Sequence, residues 1–379
     1  MNPKEYLTNK MFCPIPWTGF QYIGSTGNVL NCIRSQRPIG NLHNNSIHEI
    51  LAENIETKQN MLDSKPGLGC NVCYDLEKDK KSYDIISDRV FYLKELKGTP
   101  LTTYDDIKNF DLTTVDIRWS NSCNFGCTYC GPEYSSTLAK EFKIKQINPP
   151  KERVEELKKF VFDNAHKLKH VYLAGGEPLL MKENEELLKL LLKVNPNVNL
   201  RVNTNLSKTG TPVFDLICQF KNVHWIISID ELDKQFEFVR YGSKWDDFVD
   251  NLTKIKQTEH KVSFNMLYHL LNFRSLFECV DWLKSQGWHD NSFIIGPILG
   301  PDWHDVRHLP DVRLNEIKEI LETRIQDSKY LLKESYQSLL NHISEPFTKN
   351  LENSLKEFDI RFSKRKTNSI KEVFPELYE

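Results

Sequence analysis

Three cysteines fall within eight residues in SNSCNFGCTYCGP (120–132), directly after a β-rich run, and their C-x3-C-x2-C spacing constrains this chain more than any other feature. Three thiolates on one short loop can take three corners of a metal cluster but not a fourth. A ferredoxin closes its cluster with a fourth cysteine, whereas the next one here is Cys218. A site on Cys123, Cys127 and Cys130 would keep one iron open to an outside ligand, the arrangement that separates catalytic from structural metal sites. From this loop alone, zinc held by three thiolates and one imidazole, or three unconnected thiols, remain alternatives.

Four more cysteines lie upstream, Cys70 and Cys73 as a C-x2-C pair with Cys13 and Cys32 before it. Cys218 and Cys279 stand alone in apolar stretches with helical spacing and read as small buried hydrophobes. Grouped thiols belong to a reducing compartment, where disulfides are rare. MNPKEYLTNKMF lacks the apolar run of a secretory signal, and no stretch approaches the roughly 18 apolar residues of a membrane span. With 50 Lys plus Arg against 52 Asp plus Glu, the chain offers no net field to polyanionic nucleic acid or an anionic membrane. The expectation is a soluble, cytoplasmic protein that binds neither.

Beyond residue 110, short β-rich runs alternate with stretches of helical spacing, the pattern of repeated βα units around a parallel sheet. Strands are expected at 113–119, 170–174, 198–203, 223–229, 262–268 and 292–297. Between the first two, Val154, Leu157, Phe160, Val161 and Leu168 recur on one helical face, and ENEELLKLLLKV makes a further helix. Periodicity does not choose between a barrel and an open sheet. The division expected is a small cysteine-bearing α+β domain at 1–105, an α/β core at 106–310 and a helical region at 311–379. In that last region Ile317, Ile320, Leu321 and Ile325 share one face, Tyr336, Leu339, Leu340 and Ile343 another, and RFSKRK reads as a solvated helix end. His304 and His308 are four apart, but Pro301 and Pro310 flank them and weaken any helical two-ligand reading.

The loop resembles the hallmark of the radical S-adenosylmethionine (SAM) superfamily, C-x3-C-x-aromatic-C after the first strand of a partial (β/α)6 barrel, with Tyr129 as the aromatic. The resemblance covers roughly residues 110–300 and rests on more than one motif. LAGGEPLL, at the end of the second expected strand, is similar to the family's Gly-Gly-Glu-Pro element, which implies that Gly175, Gly176 and Glu177 bind the cofactor's amino group. ISIDE resembles the Ser-x-Asp element, implying Ser228 and Asp230 near the cofactor ribose and carboxylate, followed by Arg240. Asn203, Thr204 and Asn205 stand where the family often has Thr-Asn-Gly, with Leu206 in place of the glycine. The last two segments also read as ordinary polar strand ends. Strand C-terminal ends are where active sites of parallel α/β barrels collect.

Upstream, CPIPW, GNVLNC, GNLHNNSIHEIL and GCNVC follow the order of the auxiliary-cluster modules called SPASM and twitch. That implies a second 4Fe-4S cluster on Cys13, Cys32, Cys70 and Cys73, saturated by its four ligands and placed beside the barrel mouth. Such modules usually follow the radical core, and here the cysteines precede it. Zinc is the alternative, although zinc ribbons present two close pairs and Cys13 with Cys32 is not one. The resemblance implies an enzyme that reductively cleaves SAM to a 5'-deoxyadenosyl radical and abstracts hydrogen from its substrate. An external one-electron reductant such as flavodoxin or ferredoxin would supply the electron. Peptide or protein modification is the expected use. Oxidation or rearrangement of a sugar or nucleotide is the alternative, and a non-catalytic metal-binding or electron-transfer protein is a third.

Overall fold

Val115 and Ile117 are fully buried and alternate with Asp116 and Arg118, so the run expected at 113–119 folds as a strand with one apolar face. The computed structural model describes residues 11–77, 87–96, 104–365 and 368–378. Two compact units make up the chain. One comprises Met1–Ser122, Ile144–Arg201 and Asp215–Asn222; the other comprises Cys123–Lys143, Val202–Phe214 and Val223–Glu379.

The first unit contains β1 (Gly19–Ile23), β2 (Asn28–Leu30), β3 (Pro38–Asn41), β4 (Thr114–Arg118) and β5 (His170–Leu173). β4 and β5 run parallel, with Thr114 opposite His170. β1 lies parallel on the other side of β4, with Gly19 opposite Thr114 and Ile23 opposite Arg118, while β2 and β3 fold back antiparallel from it. Within these first residues the sequence suggested only short extended pieces; they form three strands, and the first pairs directly with β4. The helix Lys151–Asp163 buries Leu157 and Val161 on its inner face, and Leu168 belongs to the turn beyond it. Lys182–Val194 follows β5, burying Leu187, Leu188 and Leu191.

β6 (Asn199–Thr204) starts in the first unit and ends in the second. The second unit holds β7 (Val223–Ser228), β8 (Lys261–Tyr268) and β9 (Phe293–Pro297), all parallel, with Phe264 opposite Phe293. All six expected strands are therefore present within one residue of their expected starts, in an α/β chain with parallel pairing. The C-terminal helices Asp311–Asp327 and Tyr330–Ser344 bury Ile317 and Leu321, then Tyr336, Leu339 and Ile343. Arg365 corrects the reading of RFSKRK: it is buried, because its Nε and Nη2 donate in parallel to Glu141 Oε1 and Oε2 at 2.9 and 2.8 Å. Cys279 is fully buried as expected, whereas Cys218 is half-buried. Among the described residues no helix is long and apolar enough to cross a membrane.

Candidate functional site

In the second unit the three-cysteine loop is shaped by main-chain bonds as much as by its cysteines. The Gly126 N–H donates to Tyr241 O and the Thr128 N–H to Val239 O, both at 2.8 Å. The Ser135 hydroxyl donates to Phe125 O at 2.6 Å, and Thr137 and Ser136 both donate to Cys123 O. Cys123 Sγ accepts from the Phe125 N–H at 3.5 Å and from Asn205 Nδ2 at 3.8 Å. Burial pushes the Cys127 and Cys130 thiols up, and for Cys130 the neighbouring sulfurs add to it. A positive centre among them is what would hold all three as thiolates. Asn205 also reaches Asn124 Oδ1, and Leu206 after it is buried and takes φ of 55°, a left-handed conformation uncommon for a residue with a side chain.

Asp230 is wholly buried and fully used by protein donors. Its Oδ2 accepts from the Tyr129 hydroxyl at 2.7 Å and Arg240 Nη2 at 2.6 Å, and its Oδ1 from the Leu267 N–H at 2.6 Å. Three residues expected around the cofactor thus meet each other, with the Arg240 guanidinium also 5.8 Å from the Tyr129 ring centroid. Ser228 ends β7, with its hydroxyl 3.5 Å from Asn203 Oδ1.

In the first unit, β5 runs into Gly175, Gly176 and Glu177. Gly175 has φ of 128°, and a Cβ on Gly176 would lie 2.3 Å from Ser122 O and 2.6 Å from Asn121 O. Only glycines let this turn close against the segment leaving β4. The Glu177 N–H donates to Ser122 O at 2.7 Å, and its buried carboxylate accepts from the Leu179 N–H at 3.1 Å, capping a short turn at Pro178–Leu180.

Cys13, Cys32, Cys70 and Cys73 converge in the same unit around an open pocket that Arg34 and Arg89 also line. Burial pushes the Cys13, Cys32 and Cys73 thiols up, with neighbouring sulfurs adding to it at Cys13 and Cys32, while the main chain near Ile15, Arg34 and Arg89 opposes the rise. Among the described residues no three of these sulfurs come within 4.8 Å of one another. Zinc bonds of about 2.3 Å would bring four sulfurs to about 3.8 Å. The cavity's place differs from that implied by the resemblance. Cys13 precedes β1 and Cys32 follows β2, which returns antiparallel to β1's start, so these cysteines stand at the N-terminal ends of the strands. The Gly175–Glu177 turn leaves the C-terminal end of β5.

A group that sequence reasoning missed, apart from its His304, lies in the second unit. Glu231, His269 and His304 are all fully buried, with His269 Nε2 at 2.9 Å from Glu231 Oε1. The Tyr129 ring stands 5.6 Å from the His269 ring and 5.9 Å from that of His304. Burial pushes the Glu231 carboxyl up to about 7 although His269 opposes it, and burial pushes the His304 imidazole well down. Asp230, Glu231 and His269 place donor atoms within 4.8 Å of one another, a metal-like grouping. Its hydrogen bonds argue otherwise. His269 Nδ1 accepts from the Leu271 N–H at 3.2 Å, so Nε2 carries the proton and has no lone pair to offer, while Asp230 is already occupied. His304 and His308 lie in separate short turns, Asp302–His304 and Val306–His308, and make no helical ligand pair.

Residues 117–283 match the family described as the radical SAM superfamily. The GTP 3',8-cyclase of Sulfurimonas denitrificans is 27% identical over 198 residues, covering 49% of this chain and 56% of that protein. Molybdenum cofactor biosynthesis protein 1 of Dictyostelium discoideum is 25% identical over 261 residues, covering 63% of this chain and 38% of its own length. The chain thus spans about half the length of these curated relatives, or less. Among solved structures, native anSMEcpe with bound AdoMet and Kp18Cys peptide is 17% identical with a TM-score of 0.43, covering 57% of this chain and 60% of that one. Streptococcus suis SuiB bound to S-adenosylmethionine is 16% identical with a TM-score of 0.40, covering 69% and 61%.

Proposed function

From the premise that residues 117–283 are a radical SAM superfamily domain, we propose that the protein is an enzyme that cleaves SAM reductively and abstracts hydrogen from a small molecule of the nucleotide class. The observation that carries the reading is the three-cysteine loop, tied by main-chain bonds to Val239 and Tyr241 and by Tyr129 to Asp230, inside the matched stretch. With a 4Fe-4S cluster and SAM bound, one electron would break a carbon–sulfur bond and give a 5'-deoxyadenosyl radical. Cys123, Cys127 and Cys130 hold the cluster in this proposal, leaving one iron for the cofactor. Glu177 and the main chain of Gly175 and Gly176 take its amino group, and Asn205 and Ser228 also contact the cofactor in this proposal. Asp230, through Tyr129 and Arg240, keeps the loop in shape.

The substrate class revises the expectation of a peptide. That expectation rested on how common the auxiliary module is among peptide-modifying enzymes, whereas the relatives named above are a GTP 3',8-cyclase and a molybdenum cofactor biosynthesis protein. We propose a 4Fe-4S cluster on Cys13, Cys32, Cys70 and Cys73, supported by the four-thiol donor set around one pocket and the room between the sulfurs. Four ligands leave no iron for substrate, so this cluster passes electrons or holds the module together. The proposal includes the division at 1–105, 106–310 and 311–379, a cytoplasmic setting and a flavodoxin or ferredoxin as electron donor.

The test is anaerobic incubation of reconstituted protein with SAM, dithionite and GTP, followed by mass spectrometry. The expected results are 5'-deoxyadenosine and an altered nucleotide. Changing Cys123, Cys127 and Cys130 to Ala should abolish 5'-deoxyadenosine and leave about four of about eight irons. Unchanged iron in that variant would remove the loop from cluster binding, and 5'-deoxyadenosine with GTP left unaltered would remove GTP as the substrate.

A further inference from the structure

Arg365 reaches the three-cysteine loop from 224 positions beyond its partner Glu141, and both belong to the second unit. It follows the helix Leu351–Phe362 and is 8% exposed. Its guanidinium stands 4.4 Å from the Tyr241 ring centroid and 4.1 Å from that of Phe362. Tyr241 is itself tied to the loop, since its carbonyl accepts from the Gly126 N–H. A Cβ on Gly126 would lie 3.2 Å from Arg365 Nη2, so the guanidinium packs against the main chain between Cys123 and Cys127.

The pair with Glu141 is asymmetric. The Arg365 side chain is 3% exposed and that of Glu141 23%. Water reaches the carboxylate and hardly reaches the guanidinium, so the positive member is the less screened one. Arg240, another buried cation near the loop, is neutralised by fully buried Asp230 at 2.6 Å. Arg365 differs in that its counter-charge meets water. Burial raises the Cys127 thiol, and Arg240 and Arg365 both oppose that rise. Arg365 Nη1 is buried and makes no hydrogen bond, a cost that folding alone does not recover. An electrostatic task at the loop accounts for it.

We propose that Arg365 is a positioning residue for the charge at the loop: its guanidinium favours the reduced state of the cluster on Cys123, Cys127 and Cys130 and so raises that cluster's reduction potential. The inference rests on the cluster assignment made above. Reduction adds one electron from the external donor to a group already carrying three thiolates, so a nearby cation stabilises the reduced state more than the oxidised one. Arg365 neither gives nor takes a proton in that step.

The experiment is a redox titration of the cluster-loaded protein followed by electron paramagnetic resonance. The signal that changes when SAM is added identifies the cluster with the open iron. Arg365→Met keeps an unbranched stem beside Tyr241 and Phe362 and should lower the reduction equilibrium constant about tenfold, which is about 59 mV for one electron. Glu141→Gln should raise it about threefold or more, because the guanidinium loses its counter-charge. Arg365→Lys, which keeps the charge, should stay within about threefold of wild type. Opposite signs are what a field produces, whereas a loop that is merely loosened would move both variants the same way and release iron from both. An unmoved potential in Arg365→Met, or shifts of one sign in Arg365→Met and Glu141→Gln, would overturn the inference. Should Arg365→Met fail to load its cluster, Glu141→Gln decides: a raised potential supports the inference and an unraised one overturns it. Failure of the radical reading looks different, as unchanged iron after Cys123, Cys127 and Cys130 are replaced by Ala.

Discussion

At the scale of single residues, the site is built from side chains whose partners are protein groups before any cofactor arrives. Tyr129→Phe removes one of three donors from buried Asp230 and should lower stability by about 1–3 kcal/mol, read from denaturant midpoints. Glu177→Ala should weaken SAM binding about tenfold to a hundredfold with iron content unchanged, measured anaerobically. Equal affinity would take Glu177 out of the site. Glu231 supplies a pH test. Its carboxyl is raised to about 7 by burial, so the native state holds a proton that the unfolded chain releases near the ordinary value of 4.5. Its contribution is complete below about 4.5 and is lost as pH rises through about 7. Glu231→Gln should therefore flatten the stability–pH curve across that window, and an unchanged slope would count against it. Cys123, Cys127 and Cys130 were legible because their spacing is itself the signal. Glu231 and His269 were not, because a buried acid–imidazole pair drawn from two strand ends leaves no local pattern.

At the scale of elements, the strands after residue 110 were legible because apolar alternation and flanking turns mark each one. β1 to β3 were not. GFQYI and NVL are short, and what makes β1 a strand is β4, whose paired Asp116 is 95 positions from Gln21. The C-terminal end of β5 carries the sharpest test of an element. Gly176→Ala would set a methyl 2.3 Å from Ser122 O, forcing apart the turn and the segment leaving β4. A loss of about 1–3 kcal/mol and weaker SAM binding are expected, by thermal denaturation and titration. A variant matching wild type in both would show that the turn tolerates a side chain.

At the scale of the whole molecule, the proposal gives the four upstream cysteines and the Gly175–Glu177 turn different tasks, and substitution can separate them. Cys70→Ala with Cys73→Ala should keep SAM cleavage without substrate while product formation falls sharply and about four irons remain. Zinc at these cysteines after anaerobic purification, or full turnover by the double variant, would count against the assignment. The parallel pairing of β1 with β4 has a consequence for how the chain is made. Strand β1 leaves the ribosome with β2 and β3 available to cover one edge, but its other edge waits for Thr114, 95 residues after Gly19. At about 5–20 residues per second that is a wait of roughly 5–20 s with an open strand edge and four uncommitted thiols. The newborn chain is then most exposed to mispairing, and to oxidation of Cys13 and Cys32, before its first parallel contact forms.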